Sequence, residues 1–187
     1  MDFITLRAGS YSEAFPLFLN WYPSSTTILL PNLMPSVAEG KAAWTSRDEL
    51  GEGIAALLAK GLAAYPSIIP QTDRNIILLT GPVAEPPSAL VEAINRGRGT
   101  DIRIEFLEPE AWVQAQAKHD EGGKGVAWFR SRLVWLQGLA EGDCEVVDSA
   151  LEVLLGRRPA TGPQAVERLV RAEAGYTWHQ NYVGPRK

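Results

Sequence analysis

Asn75-Ile76-Ile77-Leu78-Leu79-Thr80-Gly81-Pro82 decides the fold class of this 187-residue chain. Four consecutive large aliphatics leave no polar side to face water, and the Gly-Pro pair stops the run. That is the pattern of a strand buried on both faces. A second β-prone run, Phe3-Ile4-Thr5-Leu6-Arg7, enters a turn at Ala8-Gly9. Further along, Ile102, Ile104 and Phe106 alternate with Arg103 and Glu105, as in a half-exposed strand. Residues 24–46 read as loops with one or two short strands, of which Ala42-Ala43-Trp44 is the best.

Helical patterns separate these runs. Ser10 is a candidate cap with Glu13 as capping-box partner, opening a helix with Phe15, Leu17, Phe18 and Trp21 that Pro23 ends. Ser46 opens the clearest helix. Asp48, Glu49 and Glu52 crowd its first turns, where the dipole favours them, and Leu50, Ile54, Leu57 and Leu58 form its stripe up to Gly61. Ser88 caps a helix carrying Leu90, Val91 and Ile94, stopped at Gly97 and Gly99. The last third is helical over 108–118, 127–140, 151–155 and 164–172. The class is therefore α/β (α+β), a small mixed sheet with flanking helices and a helical C-terminal third. No repeat or low-complexity linker divides it, so residues 1–187 are expected to form one domain.

Composition narrows the function. Eighteen Lys+Arg against 22 Asp+Glu give a net charge of −4, with no basic run, so nucleic acid is not an expected partner. Cys144 is the single cysteine, which excludes an intrachain disulfide. One cysteine and two distant histidines, His119 and His179, do not make a zinc site, and no metal is expected. Neither a secretory leader nor a stretch of about 18 apolar residues is present, so the expectation is a cytoplasmic protein without a membrane partner. No G-x-G-x-x-G follows a strand, no Walker loop occurs, and no tyrosine has a lysine four residues on. No cofactor is expected on these grounds.

The candidate chemistry is spread along the chain. Tyr11 and Glu13 follow the first strand, where α/β proteins place ligand-facing groups. His119, beside Asp120, and His179, in an aromatic tail, are candidates for general acid–base work. A helix-end histidine and simple packing are their plainer readings. Arg47 and Asp48, with Trp44 beside them, and Tyr176 and Trp178 in the tail are candidates to hold substrate. Six tryptophans suit a flat aromatic or polyketide-like ligand, and core filling explains them equally well.

Four segments together resemble NmrA-like proteins, atypical relatives of the short-chain dehydrogenases, and most of all their fungal members. They are Phe3 to Phe15 with Thr5, Arg7, Gly9, Tyr11 and Glu13; Trp44 to Glu52 with Arg47-Asp48-Glu49-Leu50; Leu78-Leu79-Thr80-Gly81-Pro82; and Leu154-Leu155-Gly156-Arg157-Arg158-Pro159. In that family a Rossmann unit with a glycine-rich turn forms the first half, and the second half covers the substrate. The resemblance implies that this chain is the substrate-binding half, a truncated Rossmann-type remnant without the nucleotide half. It further implies substrate-facing roles for Tyr11, Glu13 and the Arg47/Asp48 helix start. Family members bind NAD(P), and some act as reductases or redox-sensing regulators.

Three functions follow as expectations. The first is a cofactor-independent enzyme of secondary metabolism, an isomerase, cyclase or dehydratase acting by proton transfer on a small molecule. The second is a non-catalytic ligand-binding or regulatory module. The third is an NAD(P)-dependent reductase completed by a partner chain. An exposed sheet edge also predicts a homodimer that covers it.

Overall fold

The computed structural model describes residues 3–33, 39–68 and 75–178. The decisive aliphatic run is β4 (Ile76–Leu79), parallel to β1 (Thr5–Ala8), with Thr5 opposite Ile76 and Ala8 opposite Leu79. Parallel pairing requires a crossover. The connection contains α2 (Arg47–Lys60), a helix from the Ser46 cap to Gly61. Further pairs are β2 (Thr27–Pro31) parallel with β6 (Arg103–Leu107), and β3 (Ala42–Ala43) antiparallel with β5 (Ala84–Glu85). The expected mixed sheet is thus three two-stranded pairs. β3 and β5 offer two residues each, too few to carry a ladder from one parallel pair to the other.

Local chemistry shifts several boundaries. The Ser10–Glu13 capping box does not form; a short 3-10 turn over Ser12–Ala14 starts from Tyr11, and Glu13 reaches elsewhere. Helix α1 (Phe15–Leu19) stops where Asn20 turns left-handed (φ 49°), leaving Trp21 fully buried beyond the helix. Helix α3 (Pro87–Arg98) starts at Pro87, so Ser88 lies inside it, its N–H donating to Glu39 Oε2 at 2.8 Å. Gly97 does not end α3 but lies within it. The remaining helices are α4 (Pro109–His119), α5 (Val126–Ala140), α6 (Ala150–Leu155) and α7 (Gly162–Ala172).

Two apolar cores hold these elements. The larger joins Phe15, Trp21, Trp44, Leu90, Ile94, Trp112, Phe129 and Val166. The smaller packs Leu50 and Leu57 of α2 and Leu151 and Leu154 of α6 onto Ile77 and Leu79 of β4. Leu58, expected in the α2 stripe, is instead exposed: the buried face of α2 runs through Leu50, Gly53 and Leu57, with Gly53 against Leu151 and Leu154. Strand β1 behaves differently from its partner. Thr5, Arg7 and Ala8 are exposed, and among the described residues β1 pairs with β4 alone. Parallel strands are ordinarily covered on both faces, and this one is not.

Candidate active site

Immediately beyond β1, the chain runs beside Trp44-Thr45-Ser46. Thr45 N–H donates to Ser10 O at 2.8 Å, and Ser12 N–H donates to Thr45 O at 3.0 Å. This single bridge places Tyr11 and Glu13 next to the first turn of α2. Glu13 Oε1 then accepts the Arg47 N–H at 2.9 Å and the Ser46 hydroxyl at 3.1 Å. A carboxylate there satisfies orphan helix donors and suits the dipole, so Glu13 caps α2 from another segment. Its buried Oε2 has no hydrogen-bond partner among the described residues.

The segment after α7 returns to close the same cleft. Tyr176 stacks on Phe15 with centroids 5.9 Å apart and donates its hydroxyl to Glu13 O at 2.8 Å. Burial, and then the Glu13 charge, push the Tyr176 phenol above its ordinary pKa, so it remains a donor at neutral pH. The Arg47 guanidinium lies 5.6 Å from the Trp178 ring centroid, a cation–π contact. Tyr11, Arg47, Tyr176, Thr177 and Trp178 bound a 610 Å³ hollow. It adjoins a 690 Å³ hollow between α2 and α7 through their shared residues Arg47 and Tyr176.

Tyr11, Glu13, Arg47, Asp48, Tyr176 and Trp178 therefore converge on one cleft at the C-terminal end of β1. Trp44 does not line it. Its side chain is wholly buried, its Nε1–H donates to Glu85 O at 2.9 Å, and its ring rests on Gly162. Trp44 is a core residue. His119 sits exposed at the C-terminal end of α4 and is not among the residues bounding either hollow. His179 lies outside the described residues. Sequence reasoning passed over Arg157 and Arg168 in the cleft wall. The usable signal was Thr161-x-x-Gln164, a capping box that starts α7 and aims its first turns.

Another polar cluster is sealed. Asp120 and Lys124 have no exposed side-chain area and pair at 2.9 Å. The Tyr22 hydroxyl donates to Asp120 at 2.8 Å and accepts from Lys124 Nζ at 2.6 Å. Burial pulls the lysine below its ordinary range. Burial would raise the Asp120 carboxyl, but the Lys124 N–H, ammonium and Tyr22 hydroxyl outweigh it and hold it low. With both charged side chains shut from solvent, the cluster ties Tyr22 to the α4–α5 turn.

The parallel strand ends do not fit a pyrophosphate. A Cβ on Gly9 would meet Ala43 O at 2.7 Å, and one on Gly81 would meet Trp44 O at 1.9 Å. Both glycines serve close backbone packing within this chain, so neither opens a phosphate cradle.

Parallel β1–β4 with helices on one face and a cleft at its strand ends defines a Rossmann-type α/β unit. No protein-family model matches the chain. It is 33% identical over 183 residues to the NmrA-like family domain-containing oxidoreductase flvB of Aspergillus flavus, covering 98% of this chain and 55% of that protein. This similarity supports the chain as the C-terminal half of an NmrA-like protein. Among solved structures, it is similar to Escherichia coli NADPH-dependent quinone oxidoreductase in complex with NADPH, with a TM-score of 0.63 and 16% identity. That match covers 87% of this chain and 52% of the oxidoreductase. A nucleoside-diphosphate-sugar epimerase from Staphylococcus aureus gives a TM-score of 0.61 at 14% identity, covering 89% of this chain and 52% of the epimerase. These likenesses establish the fold. The chain spans about half the length of the relatives it matches. No described helix is long and apolar enough to cross a membrane.

Proposed function

We propose that this chain is the substrate-facing half of an NAD(P)-dependent oxidoreductase, with the nucleotide held by a separate α/β half docked along β1. The carrying observation is the exposure of β1 in a parallel pair whose C-terminal end opens onto the Tyr11–Arg47–Tyr176–Trp178 cleft. The relatives supply the reaction class, oxidoreduction. In this role Tyr11 and Trp178 offer aromatic faces to a small molecule, Arg47 is held over Trp178, and Glu13 holds the α2 turn in place.

The test uses this chain, the part of the Aspergillus flavus oxidoreductase lying outside the matched residues, and menadione as electron acceptor. NADPH consumption is expected only when both polypeptides are present. Tyr11→Phe or Trp178→Ala in this chain should lower it by about tenfold or more. Equal consumption by this chain alone, or none from the mixture, overturns the reading. A cofactor-independent isomerase or cyclase retains Tyr11 and Glu13 in the described cleft but not His119. A homodimer on the same β1 edge is the competing occupant; light scattering at micromolar concentration separates it from a monomer awaiting the nucleotide half.

A further inference from the structure

Beyond Arg168 the cleft continues into a 720 Å³ hollow sharing Glu49, Arg157 and Arg168 with the preceding one. Its charge runs against that of the molecule. The chain carries a net −4, yet four arginines, Arg157, Arg158, Arg168 and Arg171, face two glutamates, Glu49 and Glu167, around this hollow. The ion pairs consume both carboxylates. Arg157 bonds Glu49 and Glu52, which raise its pKa, and Glu49 also accepts the Ala160 N–H at 2.9 Å. Glu167 takes Arg171 at 2.6 Å and Arg96 at 3.0 Å. Arg158 and Arg168 form no ion pair among the described residues. Arg168 donates through Nε to the Gln164 carbonyl at 3.3 Å, which steadies its stem and leaves both terminal nitrogens for a ligand.

We infer that Arg158 and Arg168 receive the anionic end of an elongated substrate whose unsaturated or aromatic head lies between Tyr11 and Trp178. Guanidinium forks recognise carboxylate and phosphate oxygens in bidentate fashion. A cationic recess in an acidic protein also focuses such anions locally. The inference rests on the proposed function for the head group, whereas the anionic end stands on the charge inventory of this hollow.

Calorimetric titration of the chain with phenylhexanoate, phenylhexanol and phenylhexyl phosphate tests it, with no nucleotide or second polypeptide present. At least one anion is expected to bind tenfold or more tighter than the alcohol, about 1.4 kcal/mol; the tighter of the two identifies carboxylate or phosphate as the tail. The R158Q/R168Q variant should erase that preference while keeping alcohol binding. R130Q, which removes a positive charge on α5 outside this hollow, should preserve the preference. Equal affinity for anions and alcohol, or a preference surviving R158Q/R168Q, overturns the anionic end while leaving the aromatic cleft standing. Failure of all three compounds to bind overturns both.

Discussion

Asp120 and Lys124 carry the sharpest consequence at the residue scale. Removing one member of a fully buried pair strands the other charge, at a cost of about 3–5 kcal/mol. Asp120→Asn should lose about that much in urea unfolding, and adding Lys124→Met should recover most of it. The pH dependence follows from the direction of the Asp120 shift. Its folded pKa lies below the unfolded value, so its stabilisation is complete above the unfolded carboxylate pKa and vanishes as pH falls through the folded one. Native protein should therefore lose stability on acidification below about pH 4, and the double variant should show a shallower loss there. A variant as acid-sensitive as the native chain contradicts the assignment. The four-residue spacing of Asp120 and Lys124 was visible in the sequence, but their burial and the Tyr22 contact were not. Asp120 read as the neighbour of a possible catalytic histidine, and nothing in Tyr22 or Lys124 announces a partner so distant in the chain. Trp44 misled for a related reason: a tryptophan beside Arg47 looks like a ligand wall until Gly162 and Glu85 are known to enclose it.

At the scale of elements, α3 packs against α7 through Gly97. A Cβ on Gly97 would fall 2.4 Å from Val170 Cγ2 and 2.9 Å from the Glu167 backbone oxygen. The methyl in Gly97→Ala favours helix by up to about 1 kcal/mol, but forcing α3 from α7 costs about 1–3 kcal/mol. Net destabilisation, read as a lowered thermal midpoint, is the expected result; an unchanged or raised midpoint would mean the contact yields freely. Helix existence was well marked in the sequence because caps, prolines and apolar spacing are local. The role of Gly97 was not, since a glycine near a helix end reads as a stop unless the facing helix is known. The Ser10–Glu13 pair failed likewise. Its spacing fits a capping box, but the Tyr11–Thr45 bridge brings a longer helix within reach of Glu13, and the carboxylate caps that helix instead.

For the whole molecule, the strand pair was legible from two short apolar runs, and the cleft followed from where the first of them ends. Tyr11 and Glu13 were singled out because they follow the first strand, and Arg47 because it starts a helix; the structure brings all three to one cleft. The basic far end was not, because Arg157 and Arg158 follow α6 while Arg168 lies on α7, and only the folded chain brings them round one hollow. Exposure of β1, with Phe3, Ile4 and Ile76 also open to solvent, makes a docking edge the simplest account of its apolar character. Ile4→Lys with Ile76→Lys should change the unfolding free energy by no more than about 0.5 kcal/mol and weaken assembly with the nucleotide half by at least tenfold, measured by sedimentation. Undiminished assembly would move the interface elsewhere.

Thr5 and Gly9 donate their N–H groups to Asn75 O and Leu79 O, so the alternation of a parallel ladder turns the Leu6 and Ala8 amides toward the open edge. Hydrogen–deuterium exchange at those two amides, with and without the nucleotide-binding half, reads the central claim directly. Fast exchange is expected in this chain alone, and exchange slowed by at least a hundredfold in the assembly. Equal rates in the two samples, with the assembly shown to have formed, would contradict it.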